Sequence, residues 1–397
     1  MANYHLHPRA IARMKSKGSV PVLMTSESAG GHPAAMKRTR PALLLVAMMV
    51  SACGASPASA VHSPSTSPTT PAAASSGPLS CRLPVAGFVI SAPKGMPDRS
   101  IAADGQENQK GTGGFLDLPS GQFTPAPNSD RSYIAGAGWL PVSLQAVSPD
   151  HRSYVQGRAR QINHEAPTTS LYLVQADTKA ERLLFTPADG QMASVVAFTS
   201  KGIYAAVGSS TGPGAIDLLL IDPATGAHRP VPGTQPPAGA IQEVFMAISG
   251  DFAWGMLVTG SQSQVSIKLV RLSLVDGSVV DWYGAPGSFF IIGFDSAGHP
   301  IVGLFDGSTG VTRVDVYLID DANKAVAIQP HGGTYMATRG SSVTDAHGTW
   351  FGSADGSIWL YSSTKGLEKV ATIPPQAGAT GQLYDQHAWR SVAGPCV

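Results

Sequence analysis

VFMAISGDFAWGML (residues 244–257) is two short β-branched and aromatic runs held apart by Ser249-Gly250-Asp251. LSLVDGSVVDW (272–282) follows as a second pair of runs around Asp276-Gly277-Ser278. Runs of this kind cut by Gly, Asp and Ser read as strand–turn–strand units. Gly supplies positive φ at the turn, and Asp and Ser side chains bond their own backbone there. Both patterns recur along the chain. The first returns as LQAVSPDHRSYVQG (144–157), VVAFTSKGIYAAVG (195–208), FIIGFDSAGHPIVGLF (290–305), SVTDAHGTWFGS (342–353) and LYDQHAWRSVAG (383–394). The second returns as LDLPSGQFTPA (116–126), LYLVQADTKAERLLF (171–185), LLLIDPATGAHRPV (218–231), YLIDDANKAVAI (317–328) and LYSSTKGLEKVATI (360–373). No convincing stretch shows the 3.6-residue apolar period of an amphipathic helix.

The two hairpin types alternate with a period of about 45–50 residues, the spacing of propeller blades. A four-stranded blade cannot bury both its faces alone, whereas a ring of blades packs sheet on sheet. The series opens with an unaccompanied second-type hairpin at 116–126 and closes with an unaccompanied first-type hairpin at 383–394. Joined, they complete one blade. The expectation is an all-β protein, a β-propeller of six four-stranded blades closed by sharing one blade between its N- and C-terminal ends. Seven blades stay open as an alternative, because VAGFVIS (85–91) could start a partial one. A pair of β-sandwiches with similar turn spacing is the competing architecture. Closure would bring Cys81 next to Cys396, and an exported chain meets conditions in which that disulfide persists.

These repeats resemble bacterial extracytoplasmic β-propellers of the WD-repeat-like and TolB-like kind, over about Gly113–Cys396. The blade DAHGTWFGSADGSIWLY (345–361) is also similar to those of two-component-regulator propellers, with their Asp-Gly-Trp-Gly rhythm. The Trp-Asp dipeptide of true WD repeats is missing, and Asp281-Trp282 has the reverse order. The resemblance implies a fold and no particular activity, since propellers carry many functions.

Ahead of the repeats, Lys37, Arg38 and Arg40 precede the apolar run Ala42–Val50, which ends in Val50-Ser51-Ala52-Cys53. Charge, apolar run and small residues in that order form an export signal. With cysteine in the final position it resembles the lipobox of bacterial lipoproteins. That resemblance implies diacylglycerol on Cys53 and tethering to the outer face of the bacterial cell membrane. The run is too short to cross a hydrocarbon core of about 30 Å. The expected organisation is an extension at 1–35, with Met36 as an alternative start, and a signal peptide at 36–53. A Ser/Pro/Ala/Thr-rich linker follows at 54–78, too poor in large apolar side chains to order itself, and the propeller domain occupies 79–397.

Net charge is +1 and no basic tract occurs, so nucleic acid is not an expected partner. Gly208-Ser209-Ser210-Thr211-Gly212 matches a nucleophile elbow as a string, but Pro213 and Gly214 follow where a helix is needed. Ser353–Trp359 approaches the aspartate box of sialidase-type propellers, which is itself a structural turn. His151, Asp295/His299, Asp345/His347 and Asp385/His387 sit at or beside first-type turns. Converging from neighbouring blades, such pairs would suit a divalent metal. Equally, Asp opens turns through its own side chain and His tolerates positive φ. No metal or cofactor is assigned. The loops at the other end contribute Trp139, Arg158, Arg160, His164, Arg313, Tyr335 and Arg339, arginines and aromatics of the kind that contact a protein or anionic glycan. The inner strands LQAVS, VVAFT, VFMAI and FIIGF lack any ionisable residue. The expectation is therefore a binding or scaffold module for an envelope protein or glycan, not an enzyme. The alternative is an exported propeller enzyme, a hydrolase or lyase acting on glycans.

Overall fold

The structure is a computed structural model and describes residues 79–90, 109–111, 113–160, 168–209, 216–234, 240–261, 264–285, 288–306, 313–328, 337–353, 356–373 and 389–397. The organisation expected before residue 79, including Cys53, lies outside these. Among the described residues every regular element is a strand, apart from a single 3-10 turn at Leu144–Ala146.

Strands β1 (Cys81–Ile90), β2 (Gln109–Gly111), β3 (Gly114–Leu118) and β4 (Gln122–Pro125) form one sheet. β2 and β3 run successively along the same edge of β1, so they act as one interrupted strand. Alternation builds it locally: Leu116 and Leu118 are buried while Phe115 and Asp117 are partly exposed. A short hairpin, β5 (Ser132–Ile134) and β6 (Gly138–Leu140), follows with the 3-10 turn.

β7 (Ser153–Arg160), β8 (Thr168–Gln175) and β9 (Glu181–Phe185) make the second meander. β10 (Gln191–Thr199), β11 (Gly202–Ser209), β12 (Asp217–Ile221) and β13 (His228–Pro230) make the third. These two are linked by a single parallel pair, Met192 with Thr169. Three four-stranded antiparallel sheets come next. They are β14 (Ala240–Ser249) to β17 (Val279–Ala285) through β15 (Phe252–Ser261) and β16 (Gln264–Ser273); β18 (Ser288–Phe294) to β21 (Lys324–Ala327) through β19 (Pro300–Asp306) and β20 (Arg313–Asp321); and β22 (Ala337–Asp345) to β25 (Gly366–Thr372) through β23 (Gly348–Ser353) and β24 (Ser357–Ser362). The last strand, β26 (Trp389–Val392), pairs antiparallel with β1, Val85 opposite Val392.

Two expectations change in detail. The inner strand expected at LQAVS does not form: Leu144–Ala146 is the 3-10 turn and only Val147 bridges to Tyr154. Gln145 is exposed, but Ala146 and Val147 still face inward, packed against Ile134, Leu140 and Tyr154. Of the terminal hairpin, 383–388 lie outside the described residues, and Trp389–Val392 pairs with β1 rather than with the 116–126 hairpin. VAGFVI therefore belongs to the sheet that holds β3 and β4.

Consecutive sheets pack face to face. Arg182 Nη2 donates to the Pro223 carbonyl at 2.6 Å between the second and third meanders, and Lys201 meets Asp251 at 2.5 Å between the next two. Trp254, Leu269 and Trp282 pack on Phe289, Val302 and Ile319. Ser342 Oγ donates to the Ile292 carbonyl at 2.7 Å. Leu83, Val85 and Leu116 of the first sheet share a core with Val343, Trp350, Ile358 and Leu360 of the β22–β25 sheet. A disulfide joins Cys81 to Cys396, with their Cα atoms 5.7 Å apart. Gly293 permits this closeness between the β18–β21 and β22–β25 sheets: a Cβ there would lie 2.1 Å from Ser342 Oγ.

Candidate functional site

In an antiparallel meander, successive connections fall at opposite ends of the sheet, so the first and third share an end. The β10–β11, β12–β13, β14–β15 and β16–β17 turns thus share an end within each of their sheets. At that end of the third meander a groove of about 600 Å³ opens between the two turns. Its walls are Lys201 and Gly202 on one side and Asp222, Pro223, His228 and Arg229 on the other. Asp222 is a fixed carboxylate: it accepts from the Ala224 and Thr225 amides, and these bonds hold its pKa below the ordinary value. Lys201, ion-paired with Asp251, has its pKa raised chiefly by that hydrogen bond. The His228 ring meets Phe185 edge-on at 4.9 Å. Arg229 is exposed. The groove has the volume of a small-molecule site; it sets the exposed Arg229 and His228 beside the ionised Asp222, while Lys201 is engaged by Asp251.

A second, smaller cleft of about 40 Å³ lies where β5, the 3-10 turn, β22 and β26 meet. Arg131, Gln145, Ser342 and Ser391 line it. Burial raises the pKa of Asp130, with the Arg131 amide and charge opposing, and burial lowers that of Arg131. Perturbed neighbours in a cleft mark a site worth weighing, but this volume is far below the roughly 300–1,000 Å³ of small-molecule pockets.

The Asp/His pairs form local turns. Asp295 accepts from the Ala297 and His299 amides, and its other oxygen lies 3.1 Å from His299 Nδ1. Asp345 accepts from the His347 amide through Oδ1 and from Trp350 Nε1 and the Cys396 amide through Oδ2. His151 adopts φ 62°. Among the described residues no three His, Cys, Asp or Glu side chains converge as metal ligands. Asp385 and His387 lie outside the described residues.

Two of the loop residues singled out from sequence make internal contacts. Trp139 packs against Tyr133 and Phe115 at 5.3 and 5.7 Å. Arg158 forms a two-pronged ion pair with Glu181 and stacks 4.9 Å from the Tyr172 ring centre. Arg160, Arg313 and Arg339 stand on β7, β20 and β22, while His164 and Tyr335 lie outside the described residues. The structure does not bring Trp139 and Arg158 into one site. Sequence reading missed Lys201, His228 and Arg229. The available signal is His228-Arg229, one residue beyond the Asp222–Gly226 turn.

Neither a family model nor a curated protein matches this chain. Solved structures do. The chain is similar to the β-propeller domain of the Trilobed protease from Pyrococcus furiosus, at 10% identity and TM-score 0.40 over 72% of this chain and 82% of that one. It is similar to oligogalacturonate lyase from Vibrio parahaemolyticus, at 12% identity and TM-score 0.37 over 58% and 65%. TolB from Acinetobacter baumannii matches at 13% identity and TM-score 0.26 over 54% and 50%. The chain spans 37% of the length of a matching prolyl endopeptidase. The neighbours are propeller proteins, consistent with the all-β sheets described above. One expectation is corrected: a chain that is not an enzyme does not follow, because the structures similar to it include peptidases and a lyase. The apolar inner strands gave too narrow a criterion, since a propeller chain can carry its chemistry in loops or in a further domain.

Proposed function

We propose that this chain is an exported, lipid-tethered propeller of six blades whose groove at Lys201, His228 and Arg229 binds an envelope protein or glycan. The observation that carries the binding reading is that groove: about 600 Å³, with Arg229 and His228 exposed in its wall, and built on turns fixed by their own hydrogen bonds. Ring closure is supported by the β26–β1 pairing, by the core that the first and last sheets share, and by the Cys81–Cys396 bridge. Counting β26, β1, β2/β3 and β4 as one blade, with the 3-10 turn as the reduced inner strand of the next, gives six. The bridge also fits an oxidising compartment, which agrees with the lipobox at Cys53 and a 54–78 spacer.

The binding test uses full-length protein in detergent against fractionated envelope and a glycan array. Arg229→Glu reverses a groove charge at an exposed position and is expected to weaken capture by about tenfold, the scale of one charged hydrogen bond. Unchanged capture by a folded variant would overturn the groove. Assayed alongside on peptide, ester and glycan substrates, turnover that Arg229→Glu abolishes would make the groove catalytic instead. For the anchor, Cys53→Ser is expected to move the protein from the membrane pellet to the soluble fraction of cells. A variant that still pellets and resists high salt would contradict lipid tethering at that residue.

A further inference from the structure

Arg271 is the centre of an arrangement that neither the groove nor the fold requires. It sits on β16, partly buried, with its guanidinium 3.8 Å from the Trp282 ring centre, 4.4 Å from that of Phe252 and 5.9 Å from that of Trp254. Stacking on indole and phenyl faces stabilises the cation electrostatically. It leaves the guanidinium edges, with five N–H donors, unanswered. Among the described residues none forms a hydrogen bond or ion pair with them. Nearby carboxylates are committed elsewhere: Asp251 to Lys201, Asp276 to the Ser278 amide and hydroxyl, and Asp281 to Lys268. Two further donors are unmatched in the same cluster. The indole N–H groups of Trp254 and Trp282 are buried and have no partner there, although these residues are only 2% and 8% exposed. Burial lowers the pKa of Arg271, as desolvation of an unpaired cation should.

The surroundings suit a partner's side chain. Val280 lies directly across the β16–β17 ladder from Arg271 and is 41% exposed; Val275, in the adjoining turn, is 75% exposed. A cation with open donors beside exposed apolar side chains is the composition of an interface anchor, where arginine and aromatics concentrate binding energy. We infer that the rim at Arg271, Val275 and Val280 docks a protein partner through an acidic side chain flanked by apolar ones, the carboxylate accepting a two-pronged bond from the guanidinium. A peptide is favoured over an acidic sugar because apolar residues, and not further polar donors, adjoin the cation. This site is separate from the Lys201–Arg229 groove and does not depend on it.

The probes are acetyl-Leu-Glu-Leu-amide, its Gln counterpart and galacturonate, titrated calorimetrically into the full-length protein. The Glu peptide is expected to bind saturably and at least about tenfold more tightly than the Gln peptide, the worth of one charge-assisted bond. Arg271→Gln is expected to remove that difference, while Arg229→Glu leaves it intact. Val280→Asp places a carboxylate opposite Arg271 at an exposed position, so it should fold, raise the melting temperature and exclude the Glu peptide. If Arg271→Gln fails to fold, Val280→Asp decides alone. Equal binding of both peptides, no saturable binding at millimolar peptide, or peptide binding unchanged in Val280→Asp would each overturn the inference. Galacturonate binding as tightly as the Glu peptide would overturn the protein partner.

Discussion

Trp350→Ala is expected to lower stability by about 3–5 kcal/mol, the cost of removing a large aromatic from a packed core. Trp350 is 0% exposed and lies in the core shared by Leu83, Val85 and Leu116 of the first sheet and Ile358 and Leu360 of the β22–β25 sheet. Its Nε1 donates to Asp345 Oδ2 at 2.8 Å, and the same oxygen accepts the Cys396 amide at 2.9 Å. The substitution therefore opens a cavity and deprives a mostly buried carboxylate of one donor at the seam where the chain's two ends meet. Trp350→Phe separates these effects. It keeps most of the apolar volume and should cost less, about 1–3 kcal/mol for the lost donor. Urea unfolding followed by intrinsic fluorescence and circular dichroism reads both as a lower midpoint at constant slope. A cost below about 1 kcal/mol for Trp350→Ala would mean the first and last sheets do not share that core.

Reduction of the Cys81–Cys396 bridge is the second large effect. The bond spans a sequence separation of 315 residues, and on the loop-closure model a loop of this size restricts the unfolded chain by about 6 kcal/mol. Native disulfides measured by removal contribute about 2–5 kcal/mol, so the expected loss lies in that range. The β26–β1 ladder and the shared core remain after reduction. The reduced protein should accordingly keep its β spectrum at 25 °C while melting well below the oxidised form. The Cys81→Ser/Cys396→Ser double variant should match reduced wild type and be indifferent to dithiothreitol. Equal melting of oxidised and reduced protein would show that the bond does not constrain the fold.

Much of the strand pattern was readable because each hairpin is a local event. Asp222 and Asp276 take the backbone amides of their own turns, and Gly226 and Gly277 supply positive φ, so a few residues identify each reversal. What escaped is non-local. β1 pairs with β2 and β3 across the polar segment 91–108, whose several turn signals (Pro93, Gly95, Pro97, Asp104-Gly105) do not say which strands they join. LQAVS has the composition of a strand, yet only Val147 finds a bridging partner and Leu144–Ala146 coils into a 3-10 turn. The sites were less legible than the fold. Phe252 and Trp254 on β15, Arg271 on β16 and Trp282 on β17 become neighbours only through cross-strand register. Lys201 and Arg229 likewise share a groove that sequence spacing does not announce. Conversely, Arg158 reads as available in sequence because nothing near it in the chain foretells Glu181, two strands away on β9 across β8. The Asp/His motifs were conspicuous for a local reason, the hydrogen-bonding of their own turns.

The most direct test of the proposed closure is disulfide mapping of the full-length protein, with free thiols alkylated before proteolysis under non-reducing conditions. The account predicts, in monomeric protein, one cross-linked peptide pair carrying Cys81 and Cys396. Free Cys81 and Cys396 in folded protein, or a bond from either to another chain, would contradict it.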